Sequence, residues 1–397
     1  MLLYRLSKFD TVFVMLKNAI LAVAAYSFTT LFSYFLFRTI SFSTPRLLNN
    51  KLTFNKAETT PTPIDTEPKT EECPLNGEMF SKTKRDLWKK RRPLGIMVEN
   101  SPAARPQSGL SSADVIFEAV AEGGITRFLS IYYCQDAPTV GPVRSARVYF
   151  LDFIGGFGNY PLYSHVGGAN TDGPADALGQ ISSMGWAVYN DLNQFSVGFP
   201  PFWQDPDRLP KVATEHTMYT STKKMWDVAI KRELTNIDAD GVSWDAEFGK
   251  WTFKEDVPLA SRKNQFKASF GFWEDYRMSD VVWKYNKNTN AYLRSNGGKK
   301  HLDKNTGKQL EAKNVVVVFM DESVAKDGYE KGQHLLYDTL GSGDMVLFQD
   351  SVAIKGTWNK LNRTSQIYFK DARGVEVKFN RGPIWIEVLP TGNTVKY

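Results

Sequence analysis

Four arginines, Arg105, Arg127, Arg144 and Arg147, share a stretch of the chain with Glu99, Asp114, Glu118, Glu122 and Asp152. Guanidiniums in such company have two uses. They pair with the carboxylates as a partly buried web, or some stay unpaired and take a phosphate or carboxylate from outside, which the planar guanidinium fork suits. Residue types and spacing leave both readings open. Ser145 lies between Arg144 and Arg147. His165 falls at an expected strand end before Val166-Gly167-Gly168, and strand ends followed by glycine loops often hold binding groups in α/β sheets. The candidate anion-binding residues are therefore Arg105, Arg127, Arg144, Ser145, Arg147, His165, Gly167 and Gly168. Glu118, Glu122, His216, Arg294 and His301 are secondary candidates, with Arg294 and His301 expected to be exposed.

A catalytic triad could be drawn from Ser145 or Ser164, His165 or His216, and Asp172. No Gly-x-Ser-x-Gly elbow supports it, and hydrogen-bonded structural histidines are the simpler reading. No catalytic residue is assigned. No paired-cysteine zinc motif, His-Glu-x-x-His or phosphate-cradling loop occurs, so no metal or cofactor is expected. Asn236 to Glu247 has the oxygen spacing of a calcium loop. Its leading Asn and the polar Ser243 at position 8 favour an exposed inter-domain turn instead.

The elements that position these residues can be read around Gly123-Gly124. Val115 to Ala121 reads as a buried strand and Thr126 to Cys134 as its return, joined by a turn that needs positive φ. Pro142 suits the first turn of a helix ending near Gly155-Gly156. On that helix Arg144 and Arg147 would share a face beside free N–H groups, an arrangement that suits an anion. Leu94 to Val98 and Tyr160 to Val166 read as further strands, and Ser221 to Leu234 as a helix. From about residue 266 onward, short apolar runs separated by Gly, Asn and Asp turns read as nine strands, with Trp358, Phe369, Trp385 and Ile386 in the core.

Ala104-Arg105-Pro106-Gln107-Ser108-Gly109-Leu110, Ala113 to Glu118, Glu122-Gly123-Gly124-Ile125-Thr126-Arg127-Phe128 and Gly141 to Arg147 together resemble the YerB-like family, known as the DUF3048 domain. The resemblance covers roughly residues 72 to 397, in two parts. It implies a bacterial envelope protein, commonly a lipoprotein, and no established activity. Glu215-His216-Thr217-Met218-Tyr219 and the set Tyr292, Arg294, Gly298, His301 and Asp303 also fit the family pattern.

Charge is divided unevenly along the 397 residues. Residues 1–92 carry 15 Lys/Arg against 8 Asp/Glu, and the remainder carries 34 against 35. The body lacks the basic excess of a nucleic-acid-binding domain. Asn18 to Phe37 is an uncharged, largely apolar run long enough to span a bilayer as a helix. It is expected to act as a signal anchor; a cleaved signal is the alternative. No cysteine follows the run closely, so a lipid anchor is not expected here. Ser41 to about Thr70 is Thr- and Pro-rich and reads as a disordered stalk. Lys82 to Arg92 holds seven basic residues against Asp86. It is either a solvated lead-in or a contact for anionic lipid or envelope polymer. Cys73 and Cys134 could pair in an oxidising compartment, but a buried Cys134 and a free Cys73 is the reading preferred on sequence.

The fold class expected is mixed α/β (α+β), with a cytoplasmic end and transmembrane anchor at 1–40 and a stalk at 41–71. An α/β domain with a mixed sheet follows at 72–235, and a β-rich domain at 236–397. The function expected is a membrane-tethered, extracytoplasmic binding or scaffold protein with an anion-binding cleft. The alternative is an envelope hydrolase or transferase acting on a phosphorylated or glycan substrate. Expected partners are the membrane, through Asn18 to Phe37, and an anionic envelope polymer or a phosphorylated small molecule. A protein partner is compatible, and nucleic acid is not expected.

Overall fold

Leu94–Glu99 (β1), Val115–Glu122 (β2) and Ile125–Tyr132 (β3) are the three apolar runs at the centre of the molecule. Gly123 and Gly124 turn β2 into β3 with φ of +53° and +79°, a region glycine enters without a Cβ penalty. The computed structural model describes residues 66–329 and 334–397, with Ile20, Leu21, Ser27 and Thr29 before them. Most of the apolar run Asn18–Phe37 and of the stalk lies outside the described residues. Among the described residues no helix is long and apolar enough to cross a membrane.

Two expectations about the N-terminal edge change. The last stalk residues belong to a strand, Lys69–Glu72, paired with Met79–Ser81. The basic lead-in is largely folded. Lys82–Trp88 forms a helix (α1) capped by Ser81, and Arg92 is fully buried, donating to the carbonyls of Asn159, Tyr160 and Thr235. Arg91 lies 3.5 Å above the Trp226 ring.

The cysteine expectation is also corrected. Cys73 and Cys134 form a disulfide and are 0% and 3% exposed. Cys73 is not in a free linker, because the Lys69–Ser81 hairpin seats it beside the end of β3. The buried Asp114 carboxylate receives the Tyr133 and Cys134 amides at 2.7 and 3.0 Å and the Asn76 side chain at 3.1 Å. Burial, opposed by those two amides, pushes its carboxyl up to about 7.

Pro142 does not open a helix. Residues 140–146 run extended, with Val143 bridged to Val98 and the Arg144 amide donating to Met97 O. These long-range bonds hold the backbone out of helical geometry, so the helix (α2, Val148–Gly155) starts later, with Arg147 at its cap. Arg144 and Arg147 therefore share no helix face. The expected end at Gly155-Gly156 is found.

β1 continues in parallel to Leu162–His165 (β4), which pairs with Asp191–Asn193 (β5). A separate sheet follows from Lys267–Phe270 (β6), Val281–Asn286 (β7), Ala291–Asn296 (β8) and Lys299–Lys300 (β9), with Glu311–Ala312 (β10) also on β8. Asn314–Met320 (β11), Gly341–Gln349 (β12), Val352–Lys360 (β13), Tyr368–Asp371 (β14) and Ile384–Pro390 (β15) then return to the first sheet. Its order is β14-β13-β12-β11-β15-β2-β3-β1-β4-β5. The junction is the parallel pair β15–β2, with Glu387 opposite Glu118. One ten-stranded sheet thus draws on both halves of the sequence, and residues 65–397 form one compact unit.

Strand alternation sorts the core into layers. Phe117 of β2 stacks on Phe153 of α2, ring centroids 4.7 Å apart. On the opposite face Trp385 of β15 meets Trp283 of β7 edge-on at 5.2 Å. The large sheet is therefore covered by α2 on one side and by the small sheet on the other. The second half is β-rich, as expected, and Trp358, Phe369, Trp385 and Ile386 are core residues.

Candidate functional site

The candidate residues fall into two clusters, on opposite faces of the large sheet. Glu118 pairs with Phe128 across β2 and β3, and Ala119 with Arg127. Paired residues share a face and successive residues do not, so Glu118 faces the small sheet and Arg127 faces α2.

On the α2 face, Glu122 bridges two buried arginines. Arg127 Nη2 donates to its Oε1 and Arg147 Nη2 to its Oε2, each at 2.8 Å. Arg127 Nη1 also reaches Ser145 O at 3.1 Å. Half-buried Arg144 approaches Glu99 Oε2 at 3.3 Å, and His216 Nδ1 lies 2.8 Å from the same oxygen. Three guanidiniums thus surround two carboxylates. Burial opposes ionisation of Glu122, but Arg127, Arg147 and Arg144 outweigh it and hold its carboxyl below the usual range. Burial first, then Arg147, brings the Arg127 guanidinium down to about 10.

Gly167 and Gly168 adjoin this cluster. The Ala146 amide donates to Gly167 O and the Val166 amide to Arg144 O. His165 does not open into a cleft. It is fully buried, with Nδ1 2.6 Å from Gly167 O and Nε2 2.6 Å from Asp191 Oδ1. Both ring nitrogens are engaged, and the parallel pair β4–β5 aligns the histidine and brings in Asp191, which sequence reasoning missed.

On the small-sheet face, Arg294 and His301 are 0% and 3% exposed, contrary to the expectation of exposed groups. Arg294 Nη2 donates to Glu118 Oε2 at 2.5 Å, and Nη1 lies 3.5 Å from Glu387 Oε1. Its guanidinium carbon lies 4.7 Å from the Trp385 ring centroid, 5.4 Å from Trp283 and 5.8 Å from Phe128, within reach of cation–π attraction. Glu118 Oε1 also accepts from Asn100 and Thr126, at 3.0 and 2.6 Å. Burial, then the neighbouring Glu118, raises the Glu387 carboxyl well above the usual range.

Arg105 belongs to this second cluster. Its Nε donates to Asn100 Oδ1 at 2.9 Å, and its Nη1 donates to Met278 O across the sequence halves. Burial, then the like charge of Arg294, brings it down to about 10. His301 Nε2 lies 2.7 Å from Gln107 Oε1, and burial and the two arginines push its imidazole well below the usual range. A pocket of about 230 Å³ opens beside Arg105, Asn296 and His301. Asn100, Gln107, Trp283 and Glu387 were missed. The resemblance run Ala104 to Leu110 contained Gln107, but nothing local linked it to His301.

Cys73, Asp114 and Cys134 bring metal-ligating types together, but both sulfurs are in the disulfide. In the Asn236–Glu247 stretch, Asp238 Oδ1 accepts the amides of Asp240 and Val242, which closes the turn.

Residues 80–235 match the family described as Protein of unknown function (DUF3048) N-terminal domain, and residues 271–386 match its C-terminal domain. The two matches leave residues 236–270 between them, and the large sheet runs through both parts. The chain is 32% identical over 309 residues to the Bacillus subtilis (strain 168) protein named "Putative lipoprotein YerB", covering 76% of this chain and 82% of that one. Its fold is similar to the crystal structure of YerB protein from Bacillus subtilis, with a TM-score of 0.65 and 26% identity, covering 82% of this chain and 100% of that one.

Proposed function

The chain belongs to the DUF3048 family, and on that premise we propose that it is a membrane-tethered, extracytoplasmic binding or scaffold protein of the bacterial envelope. The B. subtilis relative's name describes a lipoprotein, which supports an envelope-associated role. The Cys73–Cys134 bridge supports an oxidising compartment, where such bonds persist. In this reading the tether is the apolar run Asn18 to Phe37. Protease added to intact cells, or to spheroplasts if an outer membrane is present, should digest the body. Protection until lysis would refute this topology.

The binding half of the proposal is carried by one observation: three guanidiniums, Arg127, Arg144 and Arg147, on two carboxylates. Arg127 and Arg147 are buried on Glu122, which leaves half-buried Arg144 as the cation best placed for an outside anion. Inorganic phosphate should raise the melting temperature of the wild type, because a ligand that prefers the native state stabilises it. Arg144→Ala should fold and lose that response, with contacts worth on the order of 1.5–3 kcal/mol removed. An equal phosphate effect in both proteins, or none in the wild type, would exclude an anion site here.

A further inference from the structure

The small sheet has a solvent face with an unusual charge pattern. Its inward residues, Ala268, Phe270, Val281, Trp283, Tyr285, Tyr292 and Arg294, are buried. Its outward residues include Lys267, Lys284 and Lys300, all exposed. Lys267 stands directly opposite Lys284 across β6 and β7, a like-charge pairing that destabilises a sheet when nothing neutralises it. One row across the face runs Lys396, Ser269, Val282, Ser295 and Lys300. Among the described residues none of these four lysines makes an ion pair within 4 Å. Glu311, opposite Leu293, is an acid on the same face.

Charge segregation in a body of nearly balanced charge points to an anionic partner. Four strand spacings separate Lys396 from Lys300, on the order of 19 Å, which is longer than one small anion can bridge. Between the lysines lies a recess of about 500 Å³, lined by Lys284, Lys300, Asn264, Asn286, Asn288 and Gln309, with Leu293 and Ser295 also present. A flat bilayer would touch only its rim. A single flexible chain can lie in it, with ammonium groups meeting its charges and side-chain amides meeting its neutral oxygens.

We propose that this face, which is separate from the arginine cluster, binds one extended polyanionic chain bearing repeated phosphate groups. Long-chain polyphosphate is the probe, tested on the full chain by titration at several salt concentrations. The variant Lys267→Ala/Lys284→Ala/Lys300→Ala relieves like-charge repulsion and should stay folded. It should bind about tenfold or more weakly, and the slope of log affinity against log salt should fall by about 2, as three lost contacts to a single strand predict. The same triple variant should keep the wild-type melting response to inorganic phosphate, so the two sites fail or succeed independently. Wild-type affinity and slope in the triple variant would overturn the proposal. So would binding to phosphatidylglycerol vesicles without binding to polyphosphate, which would make the face a membrane contact.

Discussion

Replacing Arg294 by methionine should destabilise the folded body by about 3–5 kcal/mol, the range for removing one partner of a buried ion pair. Methionine fits the aromatic surround of Phe128, Trp283 and Trp385, so lost volume is not the main effect. The main effect is that Glu118, fully buried, loses its 2.5 Å guanidinium partner. Glu387 lies on the same face across the β15–β2 pair, so two buried carboxyls would lose the guanidinium they share. The penalty should shrink as pH falls, since a protonated carboxyl needs no cation. The sign agrees with the wild type. Glu387 has a raised folded-state pKa, so its stabilising contribution is complete below about 4.5 and is lost as pH rises through the folded value. Equilibrium denaturation of wild type, Arg294→Met and Arg294→Met/Glu118→Gln at two pH values tests this. The double variant should recover much of the loss, and the coupling gives the pair's contribution. A loss below about 1 kcal/mol in Arg294→Met would mean that the pair does not hold the layers together.

The second large effect should come from Cys73→Ala/Cys134→Ala. The bridge joins residues 61 apart in sequence, and releasing a loop of that size from the unfolded chain is worth about 4 kcal/mol on the chain-entropy estimate. The variant should unfold at markedly lower denaturant with the large sheet still formed in the native state. Both sulfurs are buried, so thiol reagent should not reach them in the native wild type even after brief exposure to reductant. Unchanged stability in the double variant, or two thiols titrating in the unreduced protein once it is denatured, would contradict a closed bridge.

Much of the architecture was legible because it is local. The Gly123-Gly124 hairpin, the strand at Leu94 and the β-rich second half follow from residue type and period, which a strand imposes on its own neighbours. The arginine web was legible as a pair of alternatives. Glu122 was among the named carboxylates, and only geometry placed it between Arg127 and Arg147. The Pro142 helix failed for a physical reason. Proline's suitability for a helix start is a local preference, and backbone bonds from Met97 and Met218 overrode it.

The amino-acid order by itself determined the apolar strands, their turns and the carboxylate-rich, arginine-rich composition of β2, β3 and the segment after them. Tertiary structure alone decided which charges meet. Glu118 and Arg127 lie on adjacent strands, yet a period of two sends them to opposite faces, one to Arg294 and the other to Glu122. Arg294 is 176 residues from Glu118. No local preference encodes such a contact, because it forms only when β15 closes beside β2 and lays the second half of the chain against the first.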